Sequence, residues 1–439
     1  MSGVMTSPSV LSRVVLVSFG SAGDLYPLIG LARAFQSQGR SVLLLATPAH
    51  GEALARSGVP WQPLGDGEDY RRTLADPDLW HPRRGIRVLL RDFADRMARL
   101  RDVLLALLPA DEPALVVAHA FALPALDLMR RERPRLRVAG VHLAPASLRS
   151  LRDPMVWGPL QVPRWVGPAF RERLWRFSDT RLVDPWGLPA LNALRAAHGM
   201  APLPHLVPHL AEAADFVVTL FPPWFAPTQP DWPGPVVEGG FVMCDPFGED
   251  APLPPALQDF LAAGDAPLVF TPGSANAHGA RLFAAALRAV RRLGRRAVFL
   301  TPHRDQVPAV LPPQVHWQPY VPLGALLPHA ALLLHHGGIG TLAQALRAGV
   351  PQMVVPYGWD QFDNACRLRA MGVARSCPAY RLYARPLQRH LHALLNDAGL
   401  HRRCAEAAAR MAADAPAQAA AWDAICHRID HQAFGEAAR

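Results

Sequence analysis

Apolar residues along this chain alternate between short continuous runs and stripes with helical spacing. Residues 13–19, Arg-Val-Val-Leu-Val-Ser-Phe, form a run too short for a helix, closed by Gly20-Ser21-Ala22-Gly23-Asp24. From about Pro27, the residues Leu28, Leu31, Ala32 and Phe35 share one helical face as far as Gly39, and a second run covers 42–46. Strand, turn, helix and strand in that order predict a parallel α/β domain. Further runs at 115–118, 138–143 and 215–220 extend it. Gaps of three and four at Ile86, Leu89, Leu90, Phe93, Met97, Leu100 and Leu104 predict one helix over 83–108. Arg83, Arg84, Arg87, Arg91, Arg96, Arg99 and Arg101 flank its apolar stripe. Residues 66–82 are polar and turn-rich. Residues 147–235 are rich in Pro and Trp, which predicts loops and short helices lining an apolar cleft.

The same device returns in the second half. A strand over 267–271 leads into Pro272-Gly273-Ser274, a helix over 280–293 and strands at 297–301 and 315–318. Residues 331–334 form a strand, His335-His336-Gly337-Gly338 a turn, and Leu342, Ala345 and Leu346 a helical face stopped by Gly349 and Pro351. A strand at 352–355 follows. From 381 onward the spacing is helical. The pattern divides the chain into a first domain, 1–240, a linker rich in Gly, Pro and acidic residues, 241–266, a second domain, 267–415, and a tail helix, 416–439. The expected fold class is α/β, with two Rossmann-like domains facing each other across a cleft.

Half of the 439 residues are hydrophobic, enough for two or three cores. No run of 18 apolar residues occurs, and residues 1–12 lack the charged start and cleavage site of a signal peptide. Five scattered cysteines, Cys244, Cys366, Cys377, Cys404 and Cys426, with no CxxC pair, predict reduced thiols and a cytoplasmic setting. The formal charge is +9, almost entirely from arginine. No basic and aromatic stripe suggests nucleic acid. An anionic substrate fits, as does an anionic inner-membrane surface met by the arginine-flanked helix of 83–104.

Candidate chemistry gathers at the ends of strands. A glycine turn between strand and helix aims free N–H groups and the helix dipole at one spot, which suits phosphate. Gly338, Ile339, Gly340 and Thr341 supply that turn, with His335 or His336 as an added donor, and Gly273-Ser274 repeats it. Asp360 and Gln361, after the next strand, are placed to bond sugar hydroxyls. Gly20-x-x-Gly23 lacks the third glycine and closing acidic residue of a dinucleotide site. Asp24 has two readings, a helix cap or a general base at a strand end. His119 also has two, a capping residue or a partner that tunes Asp24. No Asp-x-Asp stands near the donor segment, so no metal is expected.

His335-His336-Gly-Gly-Ile-Gly-Thr341, then Ala348-Gly-Val-Pro-Gln352, then Asp360-Gln361, resembles the nucleotide-sugar signature of the inverting glycosyltransferases of the UDP-glycosyltransferase superfamily. That resemblance implies the GT-B fold, a nucleotide-sugar co-substrate without a metal cofactor, and Asp24 as the base. It puts Ser274 at the donor phosphate and Tyr320, with Val321, at the nucleobase. Gly23, Trp80, Phe121 and Trp157 then line the acceptor side, and the tail helix packs back on the first domain. Tyr70-Arg-Arg-Thr73, Leu220-Phe-Pro222, Asp231-Trp-Pro233 and Pro322-Leu-Gly-Ala-Leu-Leu-Pro328 are similar to the rhamnosyltransferases of rhamnolipid synthesis. The implied reaction moves L-rhamnose from dTDP-L-rhamnose to the hydroxyl of a 3-(3-hydroxyalkanoyloxy)alkanoate, beside an acyltransferase that makes this lipid. His336 departs from that group, which has Pro there; macrolide and sterol glycosyltransferases have His-His. The alternative is a glucosyltransferase using UDP-glucose on a phenolic, sterol or macrolide-like aglycone. Ala343 stands where many UDP-sugar users carry a ribose-gripping Glu. Either it favours a deoxyribose donor or it only packs the helix onto the sheet.

Overall fold

The apolar runs become two parallel sheets, each buried on both faces by helices, as parallel sheets require. The computed structural model describes residues 13–81, 84–248, 251–274, 276, 278–414 and 418–435, with main chain only at 414, 418 and 419. Residues 1–12, Arg83 and the 415/416 domain boundary lie outside the described residues.

In the first sheet the strands lie in the order Trp61–Pro63, Ser41–Ala46, Arg13–Val17, Ala114–His119, Leu136–His142, Phe216–Thr219, Val236–Glu238. The order in the second is Val315–Gln318, Ala297–Leu300, Leu268–Phe270, Leu332–His335, Gln352–Val354, Ala374–Ser376. Each sheet grows outward in both directions from its first strand, and ligands bind where such an order reverses, beyond the carboxyl ends of the strands. In the first sheet that point lies between Arg13–Val17 and Ala114–His119, where Val17 pairs with Ala118. In the second it lies between Leu268–Phe270 and Leu332–His335, where Phe270 pairs with Leu334.

Several elements differ from the sequence expectation. The first helix runs Ala22–Ser37 and starts five residues before Pro27, because Ser21 and Asp24 form a capping box. Glu68–Ala75 is helical within the stretch read as turns. The single helix expected over 83–108 is two, Gly85–Leu89 and Phe93–Leu107, with Asp92 between them at φ 53. Its apolar stripe offers nothing to lipid. Leu90, Phe93, Met97, Leu100 and Leu104 are buried against Val15, Val17 and Val116 of the first sheet. Arg91, half exposed, pairs with Asp76 at 3.0 Å, and the largely buried Arg101 pairs with Glu132 at 2.5 Å. The apolar stripe that motivated membrane contact thus serves the core of the first half. Residues 147–235 hold two long helices, Pro168–Ser178 and Asp184–Ala197, joined by a π-helical turn, Asp179–Val183. The linker contains the helix Pro255–Ala262.

The last helix, Gln418–Phe434, lies on Ala22–Ser37. Gly30 makes the room, since a Cβ there would stand 2.2 Å from the Trp422 ring. Arg40 pairs with Asp430 at 2.5 Å, and Ser37 donates to Asp423 at 3.0 Å. The two halves are also tied by Arg367, which bonds Asp363 on its own helix at 2.7 Å and Asp153 of the first half. No helix among the described residues is long and apolar enough to cross a membrane.

Candidate active site

On the first-sheet side, Asp24 is the third residue of its helix. Its Oδ2 accepts from the Ser21 N–H at 2.6 Å and from the Ser21 hydroxyl at 3.0 Å. Gly20, at φ 109, passes so close that a Cβ would lie 2.3 Å from that oxygen. Only glycine fits this turn. Oδ1 lies 3.9 Å from Nε2 of His119, a charge contact longer than a hydrogen bond. One Asp24 oxygen thus caps the helix, and the other is left on the side of His119. Nδ1 of His119 accepts from the Phe121 N–H at 3.3 Å, so the neutral ring carries its proton on Nε2, toward Asp24. Burial holds the imidazole below its ordinary pKa, while the Asp24 charge acts the other way. Phe121 stacks on the ring at 5.7 Å and 18°. A carboxylate oxygen beside a neutral imidazole N–H can take a proton from a hydroxyl placed between strand end and cleft.

Gly23 is exposed on the first turn of that helix. Trp80 meets Tyr357 of the second half edge-on at 6.4 Å, and its buried indole N–H has no partner among the described residues. Trp157 sits on a hairpin, edge-on to Phe177 at 6.3 Å, and that hairpin lies against the helix Gln361–Ala370 of the second half. His50 was missed. Its Nε2 lies 3.3 Å from the Gly20 carbonyl and its ring is edge-on to Tyr70 at 5.1 Å, so both flank the Asp24 turn. Nothing in the local sequence around His50 marks it.

On the second-sheet side the two histidines separate. His335 ends the strand Leu332–His335, fully buried, with Nε2 3.0 Å from the Gln352 amide oxygen and Nδ1 accepting from the Gly337 N–H at 3.1 Å. Both nitrogens are occupied, so His335 holds the turn and its side chain has no donor left for a phosphate, a correction to the expected role. His336 stands in the gap between two glycines. A Cβ on Gly273 would be 2.5 Å from its ring, and one on Gly338 2.4 Å. Its Nδ1 has no partner among the described residues, and burial pushes its pKa down to about 4, so it is neutral near pH 7. It stands beside the start of the helix Ile339–Arg347, whose first N–H groups, on Ile339, Gly340 and Thr341, lack a side-chain cap. A helix start of this kind with a neutral imidazole at its edge suits an anion. Ile339 packs against the cores of both halves.

Ser274 is exposed in the facing turn, after Gly273 at φ 90. Asp360 accepts from the Asn364 amide at 2.8 Å, and that amide also donates to the Gly337 carbonyl at 2.9 Å. Asn364 therefore ties the sugar-side loop to the phosphate turn. Its position four residues after Asp360 is the signal that could have found it. Gln361 is buried, its amide oxygen accepting from the Tyr357 and Gly358 N–H groups at 2.8 and 3.2 Å, so it shapes the loop. Tyr320 donates to Asp245 at 2.6 Å and tilts against Phe247 at 5.1 Å. Val321 is buried with Leu300, Leu326 and Leu333, so its side chain does not reach the cleft as expected. Ala343 is buried in the second core. Phe247 and the buried Asn276 side chain were not anticipated.

The halves are coupled electrostatically. Burial, and then the Asp24 charge, push the Asp360 carboxyl up to about 7. A folded-state pKa above the unfolded value means the folded protein binds the extra proton. Stability relative to Asp360→Asn therefore falls as pH rises from about 4 to about 7 and levels off above. Melting curves of the two proteins across that range check this, and parallel profiles would refute it. Among the described residues, no three His, Cys, Asp or Glu side chains converge as a metal site.

Residues 14–98 match the glycosyltransferase family 28 N-terminal domain, and 288–425 match the erythromycin biosynthesis protein CIII-like C-terminal domain. The chain is 28% identical to O-mycaminosyltylonolide 6-deoxyallosyltransferase of Streptomyces fradiae, over 90% of this chain and 94% of that one. It is 30% identical to glycosyltransferase GtfC of Amycolatopsis orientalis, over 82% and 85%. Among solved structures, the glycotransferase of kitacinnamycin superposes with a TM-score of 0.70 at 19% identity, over 96% and 99% of the chains. Spinosyn rhamnosyltransferase SpnG complexed with thymidine diphosphate gives 0.61 at 22%, over 93% and 98%.

Proposed function

Because the chain belongs to the GT-B glycosyltransferases that draw on nucleotide sugars, we propose that it moves L-rhamnose from dTDP-L-rhamnose to the hydroxyl of a hydrophobic acceptor of the 3-(3-hydroxyalkanoyloxy)alkanoate type, with inversion. The observation that carries the chemistry is that Asp24, backed by His119, faces a second half presenting His336 and a free helix start. Asp24 Oδ1 takes the acceptor's hydroxyl proton, and the oxygen attacks the anomeric carbon. The bond to the diphosphate breaks, and its electron pair leaves as charge on a phosphate oxygen. The amides of Ile339, Gly340 and Thr341 and the His336 ring stabilise that charge. Asp360 holds a sugar hydroxyl, and Tyr320 with Phe247 borders the base.

A deoxysugar donor is supported by the 6-deoxyallosyltransferase relative, and a thymidine nucleotide by the rhamnosyltransferase complex. The lipid acceptor rests on the motif similarity alone, as does the acyltransferase neighbour. A panel of dTDP-L-rhamnose and UDP-glucose against hydroxyalkanoyloxyalkanoates, sterols and macrolide aglycones, read by product mass, tests the whole reading. The expected product is the rhamnosyl lipid, with turnover unchanged by EDTA. A glucosyl sterol or macrolide would replace this reading with the alternative, and a strict metal requirement would show that the phosphate site is misassigned.

A further inference from the structure

The helix Pro168–Ser178 is built inside out. The residues it buries are Arg171 and Ser178, while Phe170 and Phe177 are 58% and 53% exposed. This is construction and not fraying. The Arg171 guanidinium donates to the carbonyls of Leu151 at 3.0 Å, Asp153 at 3.2 Å, Pro163 at 3.3 Å and Arg164 at 3.2 Å, clamping the loops on either side. Trp165, 85% exposed, lies in one clamped loop, and Trp157 extends the surface through its contact with Phe177. Among the described residues, five of the ten exposed large hydrophobic side chains fall between 160 and 186. At 100° per residue, Phe170, Arg173 and Phe177 share an arc of about 60°. Arg173 and Arg181 are exposed beside the rings, and neither has an acidic partner among the described residues.

We propose that this surface, 157–186, docks on an anionic lipid surface. Aromatic rings on an outward face suit the level of the head groups, and arginines beside them suit lipid phosphates. A second copy of the chain fits less well, because a two-fold contact through this face sets like-charged arginines close together. Its Trp157 end meets the helix Gln361–Ala370, and Phe170, Arg173, Phe177 and Arg181 are not among the donor-side or Asp24 contacts described above, so the proposal stands apart from the choice of sugar.

The test is cosedimentation of the full chain with phosphatidylcholine vesicles, with and without phosphatidylglycerol, at low and high salt. Binding is expected to require the anionic lipid and to fall with salt. Replacing Arg173 and Arg181 together by Ala is expected to lower the partition coefficient about thirtyfold. Phe170→Ser with Phe177→Ser is expected to abolish most binding while leaving the melting temperature near wild type, since both rings are exposed. Equal binding to both vesicles, binding to neither, or variants that bind like wild type would overturn the proposal. A concentration-dependent dimer dissolved by the double Phe substitution, without vesicle binding, would also overturn it and assign the surface to a contact between copies.

Discussion

Asp24→Asn is expected to lower kcat by about 10²–10⁴-fold, the usual worth of a positioned general base, with donor affinity almost unchanged. Asparagine keeps an oxygen that can accept the Ser21 N–H now held at 2.6 Å, so the start of the helix Ala22–Ser37 survives. It loses the basicity of the oxygen that faces His119. The substitution thus separates the two duties of one side chain. Asp24→Ala removes both and should add roughly 0.5–2 kcal/mol of destabilisation from the lost cap. Steady-state kinetics with saturating acceptor, paired with donor titration, make the measurement. An Asn variant with near-normal turnover would remove Asp24 from the chemistry and leave it as a cap.

Arg367→Met is expected to have the largest effect on stability. The guanidinium joins Asp363 to Asp153 across the two halves, and the three side chains are 9%, 7% and 14% exposed. Removing the cation leaves two carboxylates in the dry interface. Breaking such a buried pair costs about 3–5 kcal/mol, because the charge left behind is uncompensated. Arg367 also lies on the helix Gln361–Ala370, whose first turns carry the Asp360–Asn364 contact, so donor KM should rise as well. Calorimetry reads the first effect. The triple replacement Arg367→Met, Asp363→Leu, Asp153→Leu should recover much of the loss, since it removes the unpaired charges along with their partner. A single substitution that leaves the melting temperature where it was would mean the interface is wet enough to solvate both carboxylates.

What the sequence determined by itself was local. Apolar runs of four to six residues between glycine turns, and a stripe such as Leu282, Phe283, Ala286 and Val290, specify strands and helices because backbone sterics and helical period act over a few residues. The turns at Gly20, Gly273 and Gly337, all at positive φ, were legible for the same reason, and with them the alternation that makes two parallel α/β halves. What the tertiary structure decided was which of these local pieces meet. Asp24 and His119 come together because the strand Arg13–Val17 takes Ala114–His119 as its neighbour, a choice of strand order that no short window contains. The same holds for Arg367 and Asp153, 214 residues apart. His335 and His336 are adjacent and chemically alike. Their difference arises because one closes a buried strand onto Gln352, while the other turns into the space left by Gly273 and Gly338. The helix at 168–178 shows the limit most plainly. Its Pro- and Trp-rich surroundings predict loops and short helices around an apolar cleft, yet Arg171 went inside because four carbonyls were waiting there, and its phenylalanines were left to the surface. Burial is settled by what the rest of the chain brings to a position, and only the assembled structure carries that information.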